Sequence, residues 1–120
     1  MGIETELDGA VCVIKMAGKT STQSFSMAFL PSIAEAIDNA LKDESIKAIV
    51  LTGDGRFFSA GADIHAFQEA IDNNSASELI RNLTGVLHPL LQRIRTSSTI
   101  VVAALNGVSA GGGLGLALAC

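Results

Sequence analysis

The stretch GRFFSAGADIHAF, residues 55–67, sets two aromatic side chains before a knot of small residues, Ser59-Ala60-Gly61-Ala62, and then enters a helical pattern. A second stretch, NGVSAGGGLGLALAC at residues 106–120, follows an apolar run with a glycine-rich turn and an apolar helix start. Neither turn is built on reactive side chains, which leaves the backbone as its chemical resource. Glycine and alanine let a ligand come close to main-chain N–H groups. The first turn of a helix leaves such groups unpaired at the positive end of its dipole. In α/β folds, ligands gather off the carboxyl ends of strands. A second reading stands beside this one: Gly111, Gly112 and Gly113 permit a helix to lie close against a strand.

Working outward, IKAIVLTG (46–53) and TIVVAAL (99–105) are short apolar runs of the kind expected for strands buried on both faces. Asn106-Gly107 turns the second of them into the glycine run. Residues 3–7 and 10–16 read as strands joined by a tight turn at Asp8-Gly9. After a polar loop at 18–26, Ser26 is placed to cap a helix in which Leu30, Ile33, Ala34, Ile37 and Leu41 recur at helical spacing, with Pro31 early in it. A short helix is expected from about Asp63 to Ile71. Ser75 and Glu78 have the spacing of a capping box. They open a long helix whose stripe runs through Leu79, Ile80, Leu83, Val86, Leu87, Leu90, Leu91 and Ile94, with a kink expected at Pro89. Strands alternating with helices imply an α/β layer architecture.

Composition narrows the function classes. A chain that is 48% hydrophobic and 17% charged is expected to fold rather than stay disordered. A net charge of −4 disfavours nucleic acid as a partner. Cys12 and Cys120 lack metal-ligand spacing, so reduced buried thiols, no metal site and a cytoplasmic address are expected. The start lacks a secretory pattern, and no run of apolar residues is long enough to span a bilayer, so no membrane partner is expected. Neither loop matches the dinucleotide or P-loop fingerprints, or the nucleophile elbow of serine hydrolases. The last residues, GLGLALAC, have neither a helix cap nor a polar tail. Residues 1–120 are therefore expected to be the N-terminal part of a single domain that continues past Cys120.

FFSAGADI at 57–64 together with NGVSAGGGLGLALAC at 106–120 resembles the two signature loops of the crotonase family, the enoyl-CoA hydratases and isomerases. The resemblance spans essentially the whole chain. It implies the α/β crotonase (ClpP-like) fold of repeating ββα units, of which this is the N-terminal portion. It further implies that the N–H groups of Ala62 and Gly112 form an oxyanion hole for an acyl-CoA thioester. Ala60, Gly61, Asp63, Ile64, His65 and Gly111 would border the substrate, with Asp63 also capping the helix that follows. Coenzyme A would enter as part of the thioester, with no permanently bound cofactor, and the protein would be a homo-oligomer, trimer or hexamer. Hydratases of this family carry a glutamate two residues after the glycine run, where this chain has Gly115. That departure favours isomerisation of an unsaturated acyl-CoA over hydration and puts the acid–base residue beyond Cys120. Hydration, other thioester chemistry such as hydrolysis or dehalogenation, and a non-catalytic CoA-binding or structural fragment are the alternatives.

Overall fold

In the computed structural model, which describes residues 2–120, the chain opens with an antiparallel hairpin of β1 (Ile3–Asp8) and β2 (Val11–Met16). Asp8 pairs with Val11, so the turn is Gly9-Ala10, one residue later than the sequence suggests. The positive φ falls on Gly9, the first central position, as a type II′ turn requires. Next come α1 (Leu30–Lys42), β3 (Ala48–Gly53), β4 (Phe57–Ser59), α2 (Ile64–Asp72) and α3 (Ala76–Thr96). The chain continues through β5 (Ile100–Ala103), β6 (Val108–Ser109) and α4 (Gly112–Ala119). One sheet runs in the order β1-β2-β3-β5, with β2, β3 and β5 mutually parallel. A second, two-stranded parallel sheet joins β4 to β6.

The core lies on one face of the larger sheet. Cys12, Ile14 and Met16 of β2, Ile49 and Leu51 of β3, and Val101 of β5 are buried there, against Leu30, Ile33 and Ile37 of α1 and Leu90 and Ile94 of α3. The strands alternate between this face and a more open one. Ile100 and Val102 are 65% and 46% exposed, so β3 and β5 are not buried on both faces as expected. The reason is layer count: among the described residues, α1 packs on β1 and β2 from one side only. Burying one such side chain stabilises by about 1.5–3 kcal/mol, which makes the covered face the main cohesive element.

Three local expectations change. The first helix begins at Leu30, three residues later than a Ser26 cap implies. Ser26 Oγ instead accepts from Phe29 N–H at 3.1 Å and closes a preceding turn. Pro31 therefore lies in the first helical turn, where its missing N–H costs nothing. The capping box does not form; Ser75 Oγ points back to the carbonyl of Ala70 at 3.4 Å, finishing α2 rather than starting α3. The long helix continues through Pro89 to Thr96 and is tied to α1 by a two-pronged contact of Arg93 on Asp38, 2.7 and 3.0 Å. Exposure keeps that ion pair's contribution within about 1 kcal/mol. The strands β4 and β6, too short to show a sequence period, are additions to the expected order.

Among the described residues, no helix is long and apolar enough to cross a membrane, and no three metal-ligating side chains converge. Cys12 is buried and Cys120 half-buried, both as free thiols. Desolvation raises the Cys12 pKa, with the Asp43 carboxylate adding to it, and burial pushes the Cys120 thiol up from 9.0 to about 11. The folded state thus favours the neutral thiol. Its contribution to stability is present in full below the ordinary value and is lost as pH rises through the folded one. We expect both thiols to resist alkylation at neutral pH, with Cys120 becoming reactive only as the medium approaches pH 11. Alkylation rates of the folded protein against pH check this; fast labelling of Cys120 at neutral pH would contradict it.

Candidate active site

The site is built from the ends of β4 and β6, where the chain leaves the small sheet for α2 and α4. Ser59 closes β4, is fully buried, and bridges two loops: its Oγ donates to the Gln23 carbonyl at 2.8 Å and accepts from Gly61 N–H at 3.0 Å. The polar loop before α1 is stitched to the same knot along its backbone. Ala60 N–H donates to the Thr22 carbonyl at 2.9 Å, and Phe25 N–H donates to the Gly61 carbonyl at 2.7 Å. Gln23 is itself buried, with φ of 51°; its side chain accepts from Gly18 N–H at 2.7 Å and donates to the Asp54 carbonyl at 3.2 Å.

These bonds orient the amides. In a trans peptide the C=O and the following N–H point in opposite directions. With the Gly61 carbonyl drawn toward Phe25, the N–H of Ala62 is turned away from it, and Ala62 is exposed. The Gly111 carbonyl accepts from Gly115 N–H at 3.1 Å inside the first turn of α4, so the Gly112 N–H points out from the helix N-terminus. No protein acceptor among the described residues takes either N–H. The two loops abut. A Cβ at Gly61, where φ is +83°, would lie 2.8 Å from Gly112 N and 2.9 Å from the Ala110 carbonyl oxygen. An unpaired N–H at a helix N-terminus, such as that of Gly112, lies at the positive end of the helix dipole.

The candidate residues from the sequence divide by position. Ala60, Gly61, Gly111 and Gly112 come together at the junction, with the Ala60 carbonyl 3.6 Å from where a Cβ on Gly111 would stand. Asp63 caps α2: its Oδ1 accepts from His65 N–H at 2.9 Å and Ala66 N–H at 3.3 Å. Ile64, 80% exposed, and His65, also exposed, follow on the outer side. Gly115 faces open space, with nothing within 4 Å of a Cβ placed there. Lys19 and His88 are exposed. Sequence reasoning missed Ser59, Gln23, Phe25 and Asn106. Asn106 locks the turn between β3 and β4: its Oδ1 accepts from Gly53 N–H at 2.9 Å, and its Nδ2 donates to the carbonyls of Gly55 and Phe57 at 2.9 and 3.0 Å. The only sequence signal for these roles is the pair of amide side chains flanking glycine-bearing turns.

The family model for enoyl-CoA hydratase/isomerase matches residues 6–120, and the chain belongs to that family. It is 38% identical over 93% of its length to a Thermus thermophilus protein whose name carries the words enoyl-CoA hydratase, and covers 44% of that protein. It is 33% identical over 98% of its length to 4-chlorobenzoyl coenzyme A dehalogenase-2 of an Arthrobacter species, covering 42% of it. The crystal structure of an enoyl-CoA hydratase from Bacillus halodurans superposes with a TM-score of 0.89 at 26% identity, over 100% of this chain and 48% of that one. The fold is the crotonase fold, and the chain spans less than half the length of these proteins.

Two substitutions separate packing from hydrogen bonding at the knot. Ser59→Ala leaves the Gln23 carbonyl and the Gly61 N–H without their partner and should cost about 1–3 kcal/mol. Gly61→Ala adds backbone strain of about 1–3 kcal/mol at its positive φ, and further cost from the clash with the Gly112 loop. Denaturant unfolding of both variants should therefore rank Gly61→Ala as the more damaging. The reverse order would mean that the two loops are not in contact.

Proposed function

We propose that the complete protein acts on acyl-CoA thioesters and that the N–H groups of Ala62 and Gly112 stabilise the enolate oxygen of the reacting thioester. The observation that carries this reading is the pair of abutting loops whose two N–H groups have no protein acceptor among the described residues. Membership of the enoyl-CoA hydratase/isomerase family supports it. Coenzyme A is then a part of the substrate, and Ala60, Gly61, Asp63, Ile64, His65 and Gly111 border it. The protein works as a homo-oligomer and needs no permanently bound cofactor.

Removing a proton from the α-carbon of a thioester moves an electron pair onto the thioester oxygen. Two fixed N–H donors lower the energy of that anion without any change of their own. In isomerisation, one base takes the α-proton of a 3-enoyl thioester and returns a proton at the γ-carbon, leaving the 2-enoyl product. Hydration instead adds water across the 2,3 double bond and needs a second group to activate that water. Gly115 supplies no carboxylate at the position one turn into α4, so isomerisation is favoured, with its base provided by the protein beyond Cys120. The rival reading is hydration, which the hydratase names among the relatives favour.

Assays of the complete protein decide between them. 3-Enoyl-CoA isomerisation should outrun 2-enoyl-CoA hydration; hydration as the faster reaction would overturn the preference. Ala62→Pro removes one donor and should lower either turnover about 10²–10³-fold in a folded variant. Unchanged turnover would take Ala62 out of the site. Gly115→Glu enters open space and replaces a helical glycine, so it should fold. If Gly115 is what limits hydration, Gly115→Glu should raise it, up to the roughly 10²–10⁴-fold worth of a general acid–base group. No gain would place the limit elsewhere.

A further inference from the structure

The turn before β6 is constrained at two successive residues by two different neighbours. Asn106 uses its whole side-chain amide: Oδ1 accepts from Gly53 N–H at 2.9 Å, and Nδ2 donates to the carbonyls of Gly55 at 2.9 Å and Phe57 at 3.0 Å. Aspartate at this reach would offer no donor, and serine or threonine only one. Gly107 is fixed from the other side. The Arg56 carbonyl oxygen occupies the space that a Cβ at 107 would need, and the same oxygen accepts from Val108 N–H at 2.9 Å. The fold therefore asks for asparagine at 106 and glycine at 107, the single Asn-Gly pair in the chain.

That pair carries a reaction of its own. With no Cβ at 107, the amide nitrogen that follows Asn106 meets little steric resistance on its way to Asn106 Cγ. Asn39, Asn73, Asn74 and Asn82 all precede residues that have a Cβ. When the Gly107 nitrogen attacks, a C–N bond forms and the Nδ2 group leaves, taking up the nitrogen's proton to become ammonia. The five-membered succinimide that remains is opened by water at either carbonyl, giving aspartate or isoaspartate at 106. Water is the only co-reactant, nothing is oxidised or reduced, and Asn106 is exposed. The turn's own bonds oppose the first step, because Nδ2 is held by Gly55 and Phe57 and must let go of both before Cγ can swing toward the main chain.

We infer that Asn106-Gly107 is a modification site, at which deamidation is gated by opening of the β3–β4 turn and irreversibly unlocks the junction of the two glycine loops. Either product replaces both Nδ2 donations with a carboxylate that faces two carbonyl oxygens. Isoaspartate also lengthens the main chain by one carbon directly before β6. That strand is held to its neighbour by Val108 N–H on the Arg56 carbonyl and by Ala110 N–H on the Ser59 carbonyl, at 2.9 and 3.0 Å. Gly112 follows on the same segment, so a shift of β6 moves it away from Gly61. A loss of turnover from this shift rests on the function proposed above; the modification and the loss of stability do not.

Ageing of the complete protein in mildly alkaline buffer tests each part, with mass spectrometry locating aspartate and isoaspartate along the chain. Position 106 should convert in the native protein about tenfold or more slowly than in the urea-unfolded protein, and faster as sub-denaturing urea opens the turn. No conversion at 106 in native protein, over a time in which the unfolded protein converts fully, would overturn the site. Conversion at the unfolded rate, or a rate indifferent to sub-denaturing urea, would overturn the gate. The aged fraction and the variant Asn106→Asp should both unfold at lower denaturant concentration than fresh protein; an unchanged midpoint for both would overturn the unlocking. Turnover of 3-enoyl-CoA should fall in step with conversion at 106, and turnover that survives full conversion would remove the link to Gly112. Fresh protein that turns over no enoyl-CoA counts against the function proposed above, while mass spectrometry and unfolding still decide the modification.

Discussion

At Gly113 the first turn of α4 lies directly on the end of β4. A Cβ there would fall 2.7 Å from Ser59 Cβ and 2.8 Å from the Ser59 carbonyl carbon, distances no side chain can occupy. The rest of the site depends on this contact. It sets the start of α4 beside the knot, so that Ala110 N–H reaches the Ser59 carbonyl at 3.0 Å. With the helix start fixed, the Gly112 N–H stands next to the Gly61–Ala62 peptide. Two loops 50 residues apart in sequence thereby act as one surface.

The knot's position is then secured from behind. The Gln23 carbonyl, the Thr22 carbonyl and Phe25 N–H bind Ser59, Ala60 and Gly61, three consecutive residues of the knot, to the loop before α1. Asn106 performs the matching task on the other strand, accepting from Gly53 N–H and donating to the carbonyls of Gly55 and Phe57 across the β3–β4 connection. Buried polar groups such as Ser59 and Gln23 are costly when half satisfied and rigid when complete. A donor that must not move as charge develops has to be held by groups away from the reacting atoms. The knot is held in this way by small side chains and main-chain bonds.

Much of this was legible in the sequence because its signals are local. The hydrophobic spacing of residues 30–41 and the stripe from Leu83 to Ile94 place α1 and α3, and the paired loops carry the family's signature. Ser59, Gln23 and Asn106 were not legible, because each acts on a residue between 31 and 53 positions away and no spacing rule encodes such a contact. The strands were overcalled as doubly buried for a related reason. An apolar run reports that a strand tolerates burial, while the number of covering layers is a property of the assembly. The capping box failed because Ser75 Oγ donates back to the Ala70 carbonyl instead of accepting from the Glu78 N–H, and no sequence pattern ranks the two partners.

On the function proposed above, a division of labour accounts for the different thioester reactions named among the relatives. The hydratase-named and dehalogenase relatives match over 93% and 98% of this chain. A backbone donor pair is indifferent to how negative charge arrives on the carbonyl oxygen, whether by loss of a proton or by attack of a nucleophile on the attached acyl group. Side chains around it choose the reaction, because they decide which proton moves and which water or carboxylate is in reach. Gly113 cannot change without separating α4 from β4, whereas Gly115, two residues on, touches nothing and is free to vary. The helix therefore carries its structural constraint and its chemical latitude on opposite faces of a single turn.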